Sequence, residues 1–255
     1  MSAPVVATVG TTHPLAFAGL LFAVSAIAAD GARPVAVVAG ISAQDGRHVL
    51  ARAGVDPELI AAQFAALRDA GVAAFHVGAL VSAQSVVAVA AGLAHFAGVP
   101  VVVDPVLAAT GGDALADAAV VEALRAHLIP AATLVTPNLA EANAIAGAPV
   151  DGVAAMEAAA AALVALGARA ALVKGGHLEG EPVDVLADGS SLRRYASPRL
   201  AGSLRGTGDL LAVTIATELA RGSALGAAVE RARARVRDAI VAGEPFAGTQ
   251  VARLR

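Results

Sequence analysis

Apolar positions along the chain fall into two alternating patterns. Short β-branched runs bounded by polar turns recur between longer Ala- and Leu-rich stretches with helical spacing. Val5–Val9 reads as a strand, Leu15–Ala29 as a helix and Pro34–Val38 as a strand. In "DPELIAAQFAALRDAG" both ends of a helix are marked, with Asp56 as N-cap, Pro57 at the first helical position and Gly71 as the stop. Ala74–Val77 predicts a short strand and Ser82–Ala97 a helix. Val101, Val102 and Val103 form a continuous apolar run that suits a strand covered on both faces. The alternation continues with a helix over Asp113–His127, a strand Leu134–Thr136, helices from Asn138 and Val153, and a strand Ala170–Lys174. Val183–Ala187 and Leu192–Ala196 flank "DGS" and predict a hairpin. The pattern implies an α/β fold whose mainly parallel sheet lies between helices. No Pro/Ser-rich linker, fixed-period repeat or low-complexity segment interrupts it, so residues 1–255 are expected to form a single domain.

Composition first raises and then removes the possibility of a membrane protein. Hydrophobic residues make up 57% of the 255, and mean hydropathy is +0.71. Yet the longest apolar run, Leu15–Ala29, is about three residues short of the roughly 18 a spanning helix needs, and it stops at Asp30. No Lys or Arg precedes it, and a His-Pro pair sits where a secretory signal carries its basic segment. A buried helix and a cytoplasmic protein without membrane contact are expected. With no cysteine, disulfides, thiolate metal sites and a Cys nucleophile are excluded. A net charge of −3 gives no general electrostatic reason to bind nucleic acid. The one basic cluster, Arg231, Arg233, Arg235 and Arg237, spreads its charges around a helix and reads as a solvated face.

In parallel sheets flanked by helices, ligands gather beyond the carboxyl ends of the strands. The unusual polar residues fall there. In "SLRGTGDLL", two glycines and an acid open a helix. Unpaired N–H groups at such a terminus receive anions, so Gly206, Thr207 and Gly208 can cradle a phosphate while Asp209 accepts the proton of an attacking alcohol. Asp209 can equally serve only to complement the helix dipole. In "VKGGH", Lys174 is suited to neutralising a phosphate, or is an exposed Lys after a strand. In "TPNLAEAN", Asn138 and Glu141 lie three apart; they can face one Mg²⁺ or form an N-cap with an acid in the first turn. "DPVLAATGGD" adds Asp104 at a strand end and Thr110 in a Thr-Gly-Gly turn. Neither a P-loop, a G-x-G-x-x-G, an H-E-x-x-H nor a G-x-S-x-G is present.

Four segments, "VVVDPVLAATGGDAL", "LVTPNLAEANAIAG", "ALVKGGH" followed by "DVLADG", and "GTGDLLAVTIATELARG", occur in the order and spacing of the hydroxymethylpyrimidine/phosphomethylpyrimidine kinases of thiamin biosynthesis, within the ribokinase-like superfamily. The resemblance covers Phe75–Gly222 well and extends more thinly back to Val5. It implies a ribokinase-like three-layer α/β/α sandwich, ATP, Mg²⁺, a heteroaromatic alcohol as acceptor and a homodimer. It also implies roles. Asp104, Thr110, Asn138, Glu141, Lys174 and Gly175 would lie at the nucleotide, with Asp104 and Glu141 at the metal. Gly206, Thr207 and Gly208 would form the anion hole, with Asp209 as base. His13, Gln44, Ala79 and Val106 would line the acceptor.

The departures from the family pattern concentrate on the acceptor side. Asp209 replaces the family's usual cysteine; aspartate is the superfamily's common base, and "GTGDL" also resembles pyridoxal kinases. Arg205 stands where His is common. The family's G-S-D-P-S-G-G-A-G-I resembles "GTTHPLAFAGL" only loosely. His13 replaces its Asp, and Leu15, Ala16 and Phe17 replace its Ser-Gly-Gly. His13 is placed to stack on a ring or titrate near neutrality, or to cap the next helix. Ala79 stands where a Met often packs on the substrate ring. Three readings follow: a hydroxymethylpyrimidine-type kinase, a pyridoxal kinase, and a pyrimidine-binding paralogue without turnover.

Overall fold

The computed structural model describes residues 3–109, 111–176, 178, 180–202 and 204–254. Nine strands form one sheet in the order β3-β2-β1-β4-β5-β6-β7-β8-β9. Its centre is β1 (Val5–Thr12), β2 (Arg33–Gln44), β4 (Val72–Val77), β5 (Val101–Val103), β6 (Leu134–Val135) and β7 (Ala171–Val173), all parallel. Antiparallel strands close both edges, β3 (Val49–Gly54) on β2, and the hairpin β8 (Val183–Ala187) and β9 (Leu192–Ala196) on β7. On one face pack α2 (Pro57–Ala66), α3 (Ala83–Leu93), α4 (Ala118–Ala123), α5 (Leu139–Ala146) and α6 (Val153–Ala165). On the other lie α1 (Gly19–Ala29), α7 (Thr207–Ala220) and α8 (Leu225–Val241). A small hairpin, β10 (Glu244–Phe246) and β11 (Thr249–Val251), ends the chain. The result is the three-layer α/β/α sandwich that the sequence implies. Among the described residues no helix is long and apolar enough to cross a membrane.

The differences from the sequence reading have identifiable causes. The apolar run from Leu15 is helical only from Gly19, because Ala16 adopts a left-handed φ of 52° and Ala18, at the N-cap, is extended. A helix from Asp113 is not formed. The Asp113 carboxylate instead accepts the N–H of Val49 at 2.7 Å, and α4 starts later, capped by Asp117, whose carboxylate accepts from Val120 N at 3.0 Å. Asp56 and Ser82 cap α2 and α3 through their side chains. β3 is almost wholly exposed and so lacks the alternation that marks a half-buried strand.

The basic helix corrects a second expectation. Arg231 stays 56% exposed, but Arg233 and Arg235 are largely buried, so the cluster is a solvated face only in part. Arg231, Arg233, Arg235 and Arg237 reach Glu218, Asp184, Asp30 and the Pro198 carbonyl respectively, fastening α8 to α7, the β8 strand and the end of α1.

Candidate active site

α7 positions the site. From Asp209 to Glu218 every residue is buried, and the helix runs beneath β4 and β5 so that its first turn emerges at their carboxyl ends. Gly206 precedes it as N-cap with φ 78°. A Cβ there would stand 2.5 Å from the Phe17 carbonyl oxygen, so only glycine allows both the left-handed turn and the close approach. Gly208, in the first turn, faces the next strand ends; a Cβ on it would lie 3.2 Å from Lys174 Nζ and 3.4 Å from Asp104 Oδ2.

Asp104, one residue beyond β5, is 1% exposed, and its Oδ1 accepts from Lys174 Nζ at 2.7 Å and from Thr136 Oγ1 at 3.0 Å. Lys174 continues β7 through a bridge to Asn138. Asn138 and Glu141 form a reciprocal capping box: Asn138 Oδ1 accepts from Glu141 N at 2.9 Å, and Glu141 Oε2 accepts from Asn138 N at 2.8 Å. The Gly175 N–H is likewise committed, to Asp184 Oδ1 at 2.9 Å. Thr110 lies outside the described residues.

Three buried carboxyl groups, Asp104, Glu141 and Asp209, thus share one ammonium. Burial pushes the Asp209 carboxyl up to about 7, and the charge of Asp104 adds to it; the Gly19 N–H and Lys174 oppose. Burial likewise raises Glu141 to about 7, against the pull of Lys174. Burial works against the charge of Lys174, but Asp104, Glu141 and Asp209 together hold its ammonium above the usual value. The imbalance leaves the cluster short of positive charge.

On the other side of Asp209 opens a small cavity of about 70 Å³, partly open to solvent. His13, Gln44, Ala79 and Val106 all line it, together with Phe17 and Arg205. The four acceptor-side residues singled out in the sequence therefore share one wall system with Asp209. His13 is 4% exposed, its ring centroid 4.6 Å from that of Phe17. Burial holds its imidazole below the ordinary value, and it does not cap α1, whose N-cap position is Ala18. Gln44 donates from Nε2 to Ser42 Oγ at 2.9 Å.

The family model of phosphomethylpyrimidine kinase matches residues 16–252. The chain belongs to the phosphomethylpyrimidine kinase family. It is 39% identical over 247 residues to a hydroxymethylpyrimidine/phosphomethylpyrimidine kinase of Streptomyces coelicolor, covering 96% of this chain and 91% of that one. The solved phosphomethylpyrimidine kinase of Clostridium difficile 630 superposes with a TM-score of 0.82 at 28% identity, over 93% of this chain and 99% of that one. An ADP complex of Bacillus subtilis pyridoxal kinase gives 0.90 at 26% identity, over 99% and 98%.

Two residues of this candidate site in a phosphomethylpyrimidine kinase family member escape a reading of the sequence. His76, at the end of β4, is buried beneath Gly78, with Thr8 Oγ1 3.0 Å from its Nδ1; burial lowers it to about 4, so it is neutral. In sequence it is one more His in an apolar strand. Asp113 reads as part of a helix but latches a flap. It accepts from Val49 N and lies 3.5 Å from His48 Nδ1, while Arg52 donates to the Ala114 carbonyl at 2.6 Å. The β2–β3 turn is thereby held beside the acceptor cavity; the "DG" at Asp45 and Gly46 was its only local signal.

Proposed function

We propose that this chain is a single kinase domain that transfers the γ-phosphoryl group of ATP to the hydroxymethyl oxygen of 4-amino-5-hydroxymethyl-2-methylpyrimidine, and then to the resulting monophosphate, in thiamin biosynthesis. The observation that carries the reading is the Asp209 carboxyl, buried in the first turn of α7 and forming part of the wall of the acceptor cavity. With the alcohol in that cavity, Asp209 takes the hydroxyl proton as the oxygen attacks the γ-phosphorus and the bond to the ADP oxygen breaks. The N–H groups of Gly206, Thr207 and Gly208 stabilise charge on the moving phosphoryl group. Lys174 neutralises the nucleotide phosphates.

The oxygen-rich, positively undersupplied cluster around Lys174 fits Mg²⁺, with Asp104 and Glu141 as its protein ligands, directly or through water. Among the described residues no three acidic or histidine side chains converge closely enough to hold an ion alone, so phosphate oxygens and waters would complete its shell. Bound there, the ion would screen the charge of the phosphates. Asn138 supports this arrangement through its capping box, in which its amide oxygen accepts the Glu141 N–H rather than facing the ion.

Asp209 and the Bacillus subtilis neighbour give pyridoxal a place as a second candidate acceptor. ADP release is measured with the hydroxymethylpyrimidine, its monophosphate and pyridoxal, on the wild type and on Asp209→Asn. Turnover of both pyrimidines, with kcat for the alcohol falling about 10²- to 10⁴-fold in the variant and ATP affinity little changed, is the expected result. Turnover of pyridoxal alone replaces the first reading with the second. A pyrimidine that raises the melting temperature without ADP release makes the chain a binding protein, and an undiminished Asp209→Asn removes Asp209 as base.

A further inference from the structure

The two acceptors in the proposed sequence differ in charge, and the cavity wall holds one cation that a neutral alcohol does not need. We propose that Arg205 receives the phosphate of the monophosphorylated acceptor and thereby sets the preference for the second transfer; this rests on the two-step reading above. Arg205 directly precedes Gly206, so its side chain leaves the backbone beside the N–H groups that would hold the transferred phosphoryl. Three contacts restrain it. Its N–H donates to the Gln250 carbonyl at 3.0 Å, next to its bridge to Val251. Nε donates to Thr249 Oγ1 at 3.2 Å. The guanidinium carbon lies 5.4 Å from the Phe17 ring centroid, over its face.

The charge itself is left uncompensated. Among the described residues no carboxylate pairs with Arg205, whereas Arg194, Arg221, Arg231, Arg233 and Arg235 each have one within reach. The only other charged side chain in the described lining of the cavity is Asp209. A phosphate ester in this cavity would face that carboxylate and be repelled. A fixed guanidinium next to it offsets the repulsion and offers paired N–H donors to phosphate oxygens.

The chemistry divides in the same way. In the first transfer the alcohol O–H gives its proton to Asp209, a P–O bond to the γ-phosphorus forms, and the bond to ADP breaks. In the second, a phosphate oxygen of the monoester attacks the γ-phosphorus of another ATP, a P–O–P link forms, and ADP leaves. A phosphate ester with a second pKa of about 6 is already dianionic at pH 8, so that step has no proton for Asp209 to take. It needs charge compensation instead.

The test compares kcat/KM for the alcohol and for the monophosphate, each assayed separately at pH 8, in the wild type, Arg205→Met, Arg205→Lys and Asp209→Asn. Methionine keeps an apolar stem against Phe17 and removes the charge. Arg205→Met is expected to lower kcat/KM for the monophosphate about 10- to 100-fold more than for the alcohol, mainly through KM, with Arg205→Lys recovering part of the loss. Asp209→Asn should reverse that order. Equal losses on both acceptors in Arg205→Met mean a structural role and overturn the inference, as does a wild type that uses the alcohol but not the monophosphate. A wild type that uses neither pyrimidine overturns the two-step reading, and the inference with it. Should Arg205→Met fail to fold, Arg205→Gln and Thr249→Val, read by the same ratio, decide: a ratio unchanged in both overturns the assignment.

Discussion

Asp209 carries opposite consequences for activity and for stability. Its carboxyl must be ionised to accept a proton, and burial raises it to about 7. The alcohol-dependent rate of the enzyme is therefore expected to climb as pH rises through about 7, and a pH–rate profile checks this. Folding responds with the other sign. Below about pH 4 the group is neutral in both folded and unfolded chains; between about 4 and 7 the unfolded chain ionises first, so the group's contribution to stability declines across that window. Asparagine carries no such penalty. The unfolding free energy of Asp209→Asn minus that of the wild type, from urea titrations, should grow from pH 4.5 to 7.5 and then level off, by up to a few kcal/mol at roughly 1.4 kcal/mol per pH unit. The subtraction is needed because the buried, neutral His76 makes stability rise with pH over an overlapping window. A flat difference would mean that Asp209 is not desolvated in the free protein.

Among the elements, the β2–β3 flap is the piece whose contribution is easiest to isolate. Asp113 holds it from the loop before α4 by accepting the Val49 N–H. Asp113→Ala removes this charge-assisted bond. KM for the pyrimidine is expected to rise about 5- to 30-fold while KM for ATP changes less than twofold, because the latch borders only the acceptor side; steady-state kinetics with each substrate varied in turn measures both. The flap also marks where the sequence was legible and where it was not. β5 is found at the predicted boundaries because a continuous apolar run ends at a polar turn, and β8 and β9 because they flank the turn "DGS". α2 and α5 are announced by Asp56 and by Asn138 with Glu141, whose side chains bond the adjacent backbone. β3, exposed along its length, has the Asp45-Gly46 turn pair but no periodicity, and β10–β11, which turns on Ala247 and Gly248 at positive φ, offers neither. The Leu15–Ala18 segment misled because an apolar cavity wall and an apolar helix look alike in sequence. Lys174, Asp104 and Asp209 were legible as polar residues at strand and helix ends. Asp113 was not, because its partner is far away in the chain.

Taken whole, the molecule ties its last long helix, α8, to the site through a buried charge pair. Arg233 on α8 donates to Asp184 Oδ2 at 2.8 Å, and the other oxygen of Asp184 takes the N–H of Gly175, next to Lys174. Both side chains of the pair are largely buried. Arg233→Met leaves Asp184 without its counter-charge and should cost about 3 kcal/mol, seen as a lower urea midpoint, together with a raised KM for ATP from the loosened Gly175 turn. The broader consequence lies in how the pocket is assembled. The groups proposed for the nucleotide ride on the central strand ends and on α7, whereas the cavity proposed for the acceptor adds to the strand-end residues Thr11, Ala79 and Val106 three peripheral pieces: the Leu15–Ala18 segment, the flap and Arg205, restrained by the terminal hairpin. Exchange of those pieces leaves the phosphoryl-transfer apparatus in place, so a lineage built on this scaffold is free to trade one vitamin precursor for another by drift at its margins. Chimeras that transplant only the three segments between relatives should carry substrate choice with them.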